Sequence, residues 1–245
     1  MPKLLSDNDM DTTNIPGLSG YTFSAVRTSK LGASEYTLVT IAVDVSSSVS
    51  SFKDLLLDSL KKAIESCKKS PRASNILVRV TTFSHKVKEL HGFKPLSEID
   101  ADKDYVLDVR GTTALYDSVA SAIGATVEYG KILSKQDYGV NGILFIITDG
   151  DDNASNYGAS TVKNNAEDAI KSEALESFIS VLVGINAAHA SHYLSTFQQE
   201  AGLTQYIDAG DATPGNLAKL AAFVSRSISS QTNALGSGQA ADITL

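Results

Sequence analysis

Three short polar segments hold the residues of this chain that are best suited to chemistry. They are Asp44-Val45-Ser46-Ser47-Ser48, Gly111-Thr112-Thr113 and Thr148-Asp149-Gly150. Together they offer two carboxylates, two serine hydroxyls and a threonine hydroxyl, with no thiolate and no imidazole. Hard oxygen donors of this kind are the ligands that Mg²⁺ and Mn²⁺ prefer, whereas zinc favours nitrogen and sulfur. The segments therefore predict a divalent-cation site, provided that the fold brings them together.

The spacing within the first segment places its polar groups on one side of the chain. Alternate residues of extended backbone point the same way, so Asp44, Ser46 and Ser48 share a side. Thr113 would present its hydroxyl from the start of a helix, and Asp149 completes the set. Because only these two aspartates are anionic, the ion would keep much of its positive charge and attract a carboxylate from outside. Mg²⁺ commonly retains water, so we expect some of the contacts to be water-mediated.

Apolar strands alternate with amphipathic helices along the chain, and these elements must position the three segments. The nearly continuous apolar runs over 36–43 and 142–148 are typical of strands buried on both faces of a parallel sheet. The remaining strands are predicted over 21–27, 76–83, 87–91, 178–185 and 203–207, and the helices over 52–68, 113–127, 161–175, 190–201 and 214–228. We therefore predict an α/β fold whose mostly parallel sheet is covered by helices on both faces.

The order of the elements predicts where a ligand would bind. In such sheets, ligands lie beyond the carboxyl ends of the strands, where the strand order reverses. Asp44 follows the strand over 36–43, and Asp149 follows the strand over 142–148. The two carboxylates would converge if these strands were neighbours at that reversal.

Composition limits the classes of function. A net charge of −7 and a pI near 5.1 argue against a nucleic-acid surface, because phosphate binding needs a concentrated basic field. The sequence contains no apolar run of 18 residues, and its N-terminus turns polar too early for a signal peptide. These features predict a cytoplasmic protein without membrane contact. The one cysteine, Cys67, lies on the apolar stripe of a predicted helix and is expected to be buried.

The three segments resemble the metal-ion-dependent adhesion site of bacterial-type von Willebrand factor A (vWA) domains. That site consists of Asp-x-Ser-x-Ser, which Asp44, Ser46 and Ser48 match, followed by a threonine and an aspartate. The stretch over 111–117 is similar to Gly-Gly-Thr-Ala-Leu-Tyr-Asp and assigns the threonine to Thr113, although Thr112 replaces the second glycine and stays an alternative ligand. The stretch over 147–153, which contains Asp149, is similar to Leu-Thr-Asp-Gly-x-x-Asn.

The resemblance spans residues 34–230, which leaves 1–33 as an N-terminal extension and 231–245 as a flexible tail. It implies a Rossmann-like three-layer α/β/α fold with a mostly parallel six-stranded sheet and one short antiparallel edge strand. We expect residues 1–18 to be irregular, because they are polar and contain Pro16-Gly17, and 21–27 to be an edge strand.

The resemblance also implies a function. Mg²⁺, with Mn²⁺ or Ca²⁺ as substitutes, would bind at Asp44, Ser46, Ser48, Thr113 and Asp149. The two aspartates would act largely through bound water. The module would not be an enzyme; it would capture an acidic residue of a partner protein. Bacterial members often work beside an AAA+ ATPase, or in stress-response and defence systems, which makes such an ATPase a candidate partner.

Other interpretations use some of the same residues. Asp149, Asp151, Asn153 and Ser155 have the spacing of a calcium-binding loop, but Ala154 stands where that loop needs glycine. We expect Asp151 and Asp152 to form an acidic rim instead. Asp117 would either support Thr113, cap the helix locally or lie in solvent. His189 and His192 are interpreted as a surface pair rather than a zinc site.

Two alternatives to protein capture remain open. The first is a metal-dependent phosphoesterase that uses the same site. Against it, the chain lacks a Gly-x-Ser-x-Gly elbow and a phosphate-binding glycine loop, and its only nearby nucleophiles are the serine ligands. The second alternative is a structural scaffold whose metal is incidental. Loss of partner binding on mutation of Asp44 would distinguish protein capture from that scaffold.

Overall fold

The fold is built around an eight-stranded sheet, seen in a computed structural model that describes residues 9–171 and 173–244. The strands are β1 (Met10–Asn14), β2 (Thr22–Val26), β3 (Glu35–Asp44), β4 (Ile76–Phe83), β5 (Val87–Pro95), β6 (Gly139–Thr148), β7 (Phe178–Gly184) and β8 (Gln205–Asp208). The helices are α1 (Lys53–Cys67), α2 (Ala101–Asp104), α3 (Leu115–Ser134), α4 (Ala159–Lys171), α5 (Ser191–Ala201) and α6 (Pro214–Asn233).

The strands lie in the order β1-β2-β5-β4-β3-β6-β7-β8. Neighbours from β4 to β8 are parallel, whereas β5 runs antiparallel to β4 and β1 runs antiparallel to β2. From β3 the chain first builds β4 and β5 on one side and then β6, β7 and β8 on the other. The strand order therefore reverses between β3 and β6. These two strands pair from Glu35 opposite Gly139 to Val43 opposite Ile147, so Asp44 and Asp149 follow neighbouring strand ends as predicted.

Alternating side chains on the central strands supply two apolar cores. On β6, Ile143, Phe145 and Ile147 belong to the cluster that also contains the apolar residues of α1 and α6. Leu144 and Ile146 belong to the cluster formed with α3, α4 and α5. Both faces of the sheet are thus covered, which is why these strands are almost continuously apolar. The predicted three-layer α/β/α fold is confirmed.

The N-terminal extension adds two strands, β1 and β2, to the sheet. The segment Met10–Asn14 was expected to be irregular but forms β1, and the strand predicted over 21–27 is present as β2. Neither β2 nor β5 is an edge strand, since β1 covers β2 and β2 pairs with β5 through Ala25 and Phe93. Residues 34–230 supply six of the eight strands, β3 to β8, as the resemblance implied. What the sequence analysis missed is β1, because it is mostly polar and partly exposed and so has no apolar alternation to read.

The segment after α6 returns to the domain. Ile243 is 8% exposed, and the Ala241 amide donates to Gln231 Oε1 at 3.0 Å. The segment predicted to be a flexible tail therefore makes specific contacts. Residues 1–8, Ser172 and Leu245, which fall within the predicted extension, the helix over 161–175 and the tail, lie outside the described residues. In the described part of the chain, no helix has both the length and the apolarity needed to cross a membrane.

Candidate metal centre

Asp44, the last residue of β3, organises the first segment of the site. Its side chain is fully buried. Oδ1 accepts a hydrogen bond from the Ser46 amide at 2.7 Å, which turns the chain sharply after the strand. Oδ2 accepts one from Thr148 Oγ1 at 2.6 Å. Since Thr148 ends β6, this second bond joins the ends of the two central strands directly.

The serine hydroxyls connect Asp44's segment with Asp149. Ser46 Oγ and Ser48 Oγ lie 3.0 Å apart, and Ser48 Oγ donates to Asp149 Oδ1 at 2.8 Å. Ser46 and Asp149 are buried, whereas Ser48 is exposed. Four of the five predicted ligand residues are therefore linked by hydrogen bonds at one surface point above the sheet.

The backbone around Thr113 brings the second segment to the same point. The Ser47 amide donates to the Gly111 carbonyl at 3.0 Å, where Gly111 has a φ of 78° that favours glycine. The Thr113 amide donates to Asn153 Oδ1 at 2.8 Å, and the Thr113 carbonyl accepts from the Asn153 amide at 2.9 Å. Thr113 is thus held between the first and third segments. Its side chain is buried, while Thr112 is exposed.

The Thr113 hydroxyl differs from the serine hydroxyls. Within residues 9–171 and 173–244 it makes no hydrogen bond to another side chain, so the structure places Thr113 beside the four linked residues without a direct polar contact to them. Its oxygen is therefore available to a metal ion or to one of the waters that an ion would hold.

Burial and mutual repulsion shape the electrostatics of the two aspartates. Burial raises the pKa of Asp44 to about 6, helped by the nearby charge of Asp149 and opposed by the hydrogen bonds from Thr148 and Ser46. Burial likewise raises the pKa of Asp149, against the hydrogen bond from Ser48 and the nearby charge of His189. Two buried carboxylates that resist ionisation together form an environment that a cation would stabilise.

The donor chemistry fits a hard divalent cation. In the described part of the chain, no group of three or more His, Cys, Asp or Glu side chains is arranged to hold a metal. A site made of cysteine or histidine, or of several carboxylates, is thus not found there. The hydrogen bonds instead bring together two carboxylates and two serine hydroxyls, with Thr113 held beside them. All of these side chains offer oxygen, which suits Mg²⁺ or Mn²⁺ with part of the coordination shell left to water.

The loop after β6 caps α3, a role that the sequence analysis did not identify. Asp152 Oδ1 accepts from the Tyr116 amide at 3.3 Å, and Ser155 Oγ accepts from the Asp117 amide at 3.0 Å. Free amides at a helix start need such partners. Asp152 therefore does more than line an acidic rim. The side chain of Asn153 is engaged by the Thr113 amide and that of Ser155 by the Asp117 amide, so the alternative of a calcium loop is not supported.

Asp117 is neither solvent-exposed nor a neighbour that supports Thr113 through its side chain. It is buried, and its carboxylate accepts hydrogen bonds from the backbone amides of Asn156 and Tyr157 and from the hydroxyl of Tyr21. The spacing of Thr113 and Asp117 on one helical face gave no indication of these partners. His189 and His192 are both exposed, and His189 lies in the turn before α5.

Comparison with known proteins assigns the family. The model of the von Willebrand factor type A domain matches residues 39–229, which is most of the chain. The chain belongs to the von Willebrand factor type A family. No relative is found among curated proteins.

Solved structures with this vWA fold come from bacteria, an animal and an archaeon, all at low sequence identity. The PilB minor pilin from Streptococcus sanguinis has a TM-score of 0.56 at 17% identity over 84% of this chain and 64% of that one. Proximal thread matrix protein 1 from the mussel byssus, with a zinc-occupied MIDAS motif, scores 0.52 at 15% identity over 80% and 46%. The ArnB paralog VWA2 from Sulfolobus acidocaldarius scores 0.51 at 12% identity over 89% and 53%.

At these identities the likeness shows the fold alone. The vWA chain described here also spans less than two thirds of the length of the pilin structure.

Proposed function

We propose that this chain is a protein-interaction module that binds its partner through a divalent cation, preferentially Mg²⁺. Domains of the vWA family are often metal-dependent adhesion or protein-interaction modules. The observation that carries the proposal for this chain is the row of hydrogen bonds from Asp44 through Ser46 and Ser48 to Asp149. It gathers oxygen donors from two separate segments at one point on the surface.

The neutral and the charged side chains of the centre would contact the ion in different ways. Ser46, Ser48 and Thr113 would be hydroxyl ligands. Asp44 and Asp149 would act largely through water, consistent with the hydrogen bonds by which they already hold the Ser46 amide and the Ser48 hydroxyl. When bound, the ion supplies two positive charges. The two carboxylates balance that charge but leave part of the coordination shell of the ion open. An acidic residue of the partner would complete the coordination.

Metal binding and partner binding can be tested separately. Calorimetric titration with MgCl₂, MnCl₂ and ZnCl₂ would identify the ion, zinc being included because a mussel relative holds it. Ser48→Ala removes an exposed donor, and Asp149→Asn removes a charge while keeping the shape of the side chain. Asp151→Asn, a change at an exposed carboxylate two residues away, is the matched control. We expect only the first two variants to lose metal affinity.

Affinity capture from a lysate would then use the same four proteins in Mg²⁺ and in EDTA. Metal-mediated capture would be supported by a partner that wild type and Asp151→Asn retain in Mg²⁺, but that neither retains in EDTA and that Ser48→Ala and Asp149→Asn do not retain in either buffer. Retention of the same proteins in every lane would refute it. The AAA+ ATPase partner, the stress-response role and the cytoplasmic location remain predictions, and the captured protein would test the first of these.

The phosphoesterase alternative makes a different prediction. It requires turnover of phosphate esters in Mn²⁺ that Asp149→Asn abolishes and Asp151→Asn retains.

Chelation tests whether the metal is structural. The sheet and both helical layers are held by apolar packing and do not need an ion. The fold should therefore survive EDTA, and unfolding in EDTA would instead indicate a structural metal.

A further inference from the structure

A groove opens on the same rim of the sheet as the metal centre. It encloses about 230 Å³ between the turn that joins β4 to β5 and the segment that leads into Gly111. Because β4 is parallel to β3, its end and the following turn lie at the edge where Asp44 lies. The groove is thus beside the centre and on the side away from β6.

The groove is joined to the metal centre through the backbone. The Arg110 amide donates to the Val45 carbonyl at 2.8 Å, and the Ser47 amide donates to the Gly111 carbonyl at 3.0 Å. Val45 and Arg110 line the groove, while their immediate neighbours Ser46 and Gly111 belong to the centre. A bound segment that reaches the ion with one residue would therefore pass directly into the groove.

Apolar side chains form part of the groove surface. Val106 is 67% exposed, and of the described residues it is the one large apolar side chain that is so exposed. Leu90, which is partly buried, lines the same groove. A single exposed valine is ordinary on a protein surface. Beside a groove that continues from a binding site, it offers an anchor for one apolar side chain of a partner.

The charged residues of the groove are mostly basic, in a chain whose net charge is −7. Lys86 and Lys88 are exposed and form no ion pair with any described residue. Arg110 lies 3.2 Å from Asp108, and both side chains are more than half exposed, so their pairing is weak. Asp108 is the one acidic residue in the lining, which also contains His85.

The opposite side of the rim has the reverse charge. Asp151 follows β6, Asp208 ends β8 and Asp211 follows it, and all three are exposed. His189, in the turn between β7 and α5, lies near Asp149 on this side and is exposed. The rim therefore changes from basic beside β4 and β5 to acidic beside β6 and β8. An acidic ligand would be attracted toward the groove and repelled from the far side.

We propose that this groove docks an acidic segment of the partner protein, with one apolar side chain of that segment packed against Val106 and Leu90. The inference rests on the proposed function, because it describes the residues that flank the carboxylate captured at the ion. Lys86, Lys88 and Arg110 would select for acidic flanks and speed association, and the apolar contact would favour one register of the segment.

The test uses a defined probe, a fluorescein-labelled peptide Gly-Glu-Asp-Leu-Glu-Asp-Gly, with a second peptide in which serine replaces leucine. Binding is measured by fluorescence anisotropy in Mg²⁺ and in EDTA. The groove variants are Lys86→Glu/Lys88→Glu and Val106→Ser. The control Lys62→Glu/Lys219→Glu makes the same change of net charge at exposed positions of α1 and α6. Asp149→Asn reports on the ion.

We expect Lys86→Glu/Lys88→Glu to raise the Kd in Mg²⁺ by about tenfold or more, and the control to change it by less than about threefold. EDTA and Asp149→Asn should each weaken the binding of the peptide to the wild-type groove. Val106→Ser should remove the preference for the leucine peptide. Equal effects of Lys86→Glu/Lys88→Glu and of the control would refute docking in the groove. A loss of affinity in Asp149→Asn would in that case still support binding through the ion. If peptide binding were unchanged by Asp149→Asn and by EDTA but weakened by Lys86→Glu/Lys88→Glu, docking in the groove would be supported. Binding through the ion would then be refuted. No binding to wild type would overturn the inference.

Discussion

The phenol of Tyr21 donates a hydrogen bond of 2.7 Å to the carboxylate of Asp117, which lies 96 residues further along the chain. The same carboxylate accepts from the amides of Asn156 and Tyr157, in the loop that begins with Asp149. One buried side chain thus fastens the N-terminal extension to a loop of the metal centre. Burial, together with the bond and charge of Asp117, raises the pKa of Tyr21 and keeps it a hydrogen-bond donor.

Removing the Tyr21 hydroxyl should therefore destabilise the domain. Tyr21→Phe leaves a buried carboxylate with one donor fewer, and a hydrogen bond to a charged group contributes about 2 kcal/mol. We expect the free energy of unfolding in urea to fall by about that amount. Tyr138→Phe is the control, since the Tyr138 hydroxyl makes only a long bond of 3.4 Å to the Thr28 carbonyl. Equal losses in the two variants would contradict a specific role for the Tyr21 contact.

The choice between Thr112 and Thr113 can be tested by their alanine variants. Thr113 is buried between two segments of the centre and Thr112 is exposed. If Thr113 supplies a ligand, Thr113→Ala should weaken Mg²⁺ binding by about tenfold, because one oxygen contact is worth on the order of 1–2 kcal/mol. Thr112→Ala should change affinity by less than about twofold. Calorimetric titration measures both, and the reverse order would assign the ligand to Thr112.

The parts of this fold that the sequence predicts are those with a local signature. The apolar runs over β3 and β6 predicted a buried parallel sheet. Asp44 and Asp149, at the ends of these runs, predicted the metal centre, because the end of a strand fixes where the next residue lies. The strand β1 left no such signature. Four of its five residues are polar, and it pairs with β2 through backbone groups that every sequence has.

The support of the site was less predictable than its ligands. Asn153 holds the backbone of Thr113, and Asp152 caps α3 from the loop after β6. These hydrogen bonds join residues about 40 positions apart, and the acceptors Asn153 and Asp152 lie in a loop without a periodic pattern. Burial can be inferred from periodicity, but the identity of a distant polar partner depends on the tertiary packing itself.

A second buried charge should make β5 sensitive to mutation. Arg79 is 1% exposed, and its Nε donates to Glu89 Oε2 at 2.6 Å; Glu89 also accepts from the Ser24 amide at 3.1 Å. Glu89→Ala would leave the guanidinium buried and unpaired, which costs about 3–5 kcal/mol in such pairs. We expect a loss of that order in the free energy of unfolding. Glu65→Ala, which breaks the half-exposed pair with Lys68, should cost less than about 1 kcal/mol. A loss for Glu89→Ala no larger than for Glu65→Ala would show that Arg79 finds water or another partner.

His91 should make the stability of the domain depend on pH. Its ring stacks on Tyr105 and lies within hydrogen-bond distance of Gly92 O and the Tyr105 hydroxyl. Burial, with a smaller effect of the cations Lys94 and Arg79, lowers the pKa of His91 from 6.5 to about 4. As pH falls through 6.5 the unfolded chain binds this proton first, so stability is complete above about pH 6.5 and is lost progressively down to pH 4.

The total loss should be about 3 kcal/mol for this one group, since each pKa unit corresponds to about 1.4 kcal/mol. The measurement is the free energy of unfolding in urea at several pH values between 7 and 4.5, for wild type and for His91→Gln. The difference between the two curves isolates His91, because the other titrating groups contribute equally to both. His91→Gln should depend less steeply on pH, although it is less stable at pH 7. His189→Gln, at an exposed histidine, should follow wild type. Parallel curves for wild type and His91→Gln would mean that His91 gains a proton in the folded domain as readily as in the unfolded chain, which its burial beneath Tyr105 argues against.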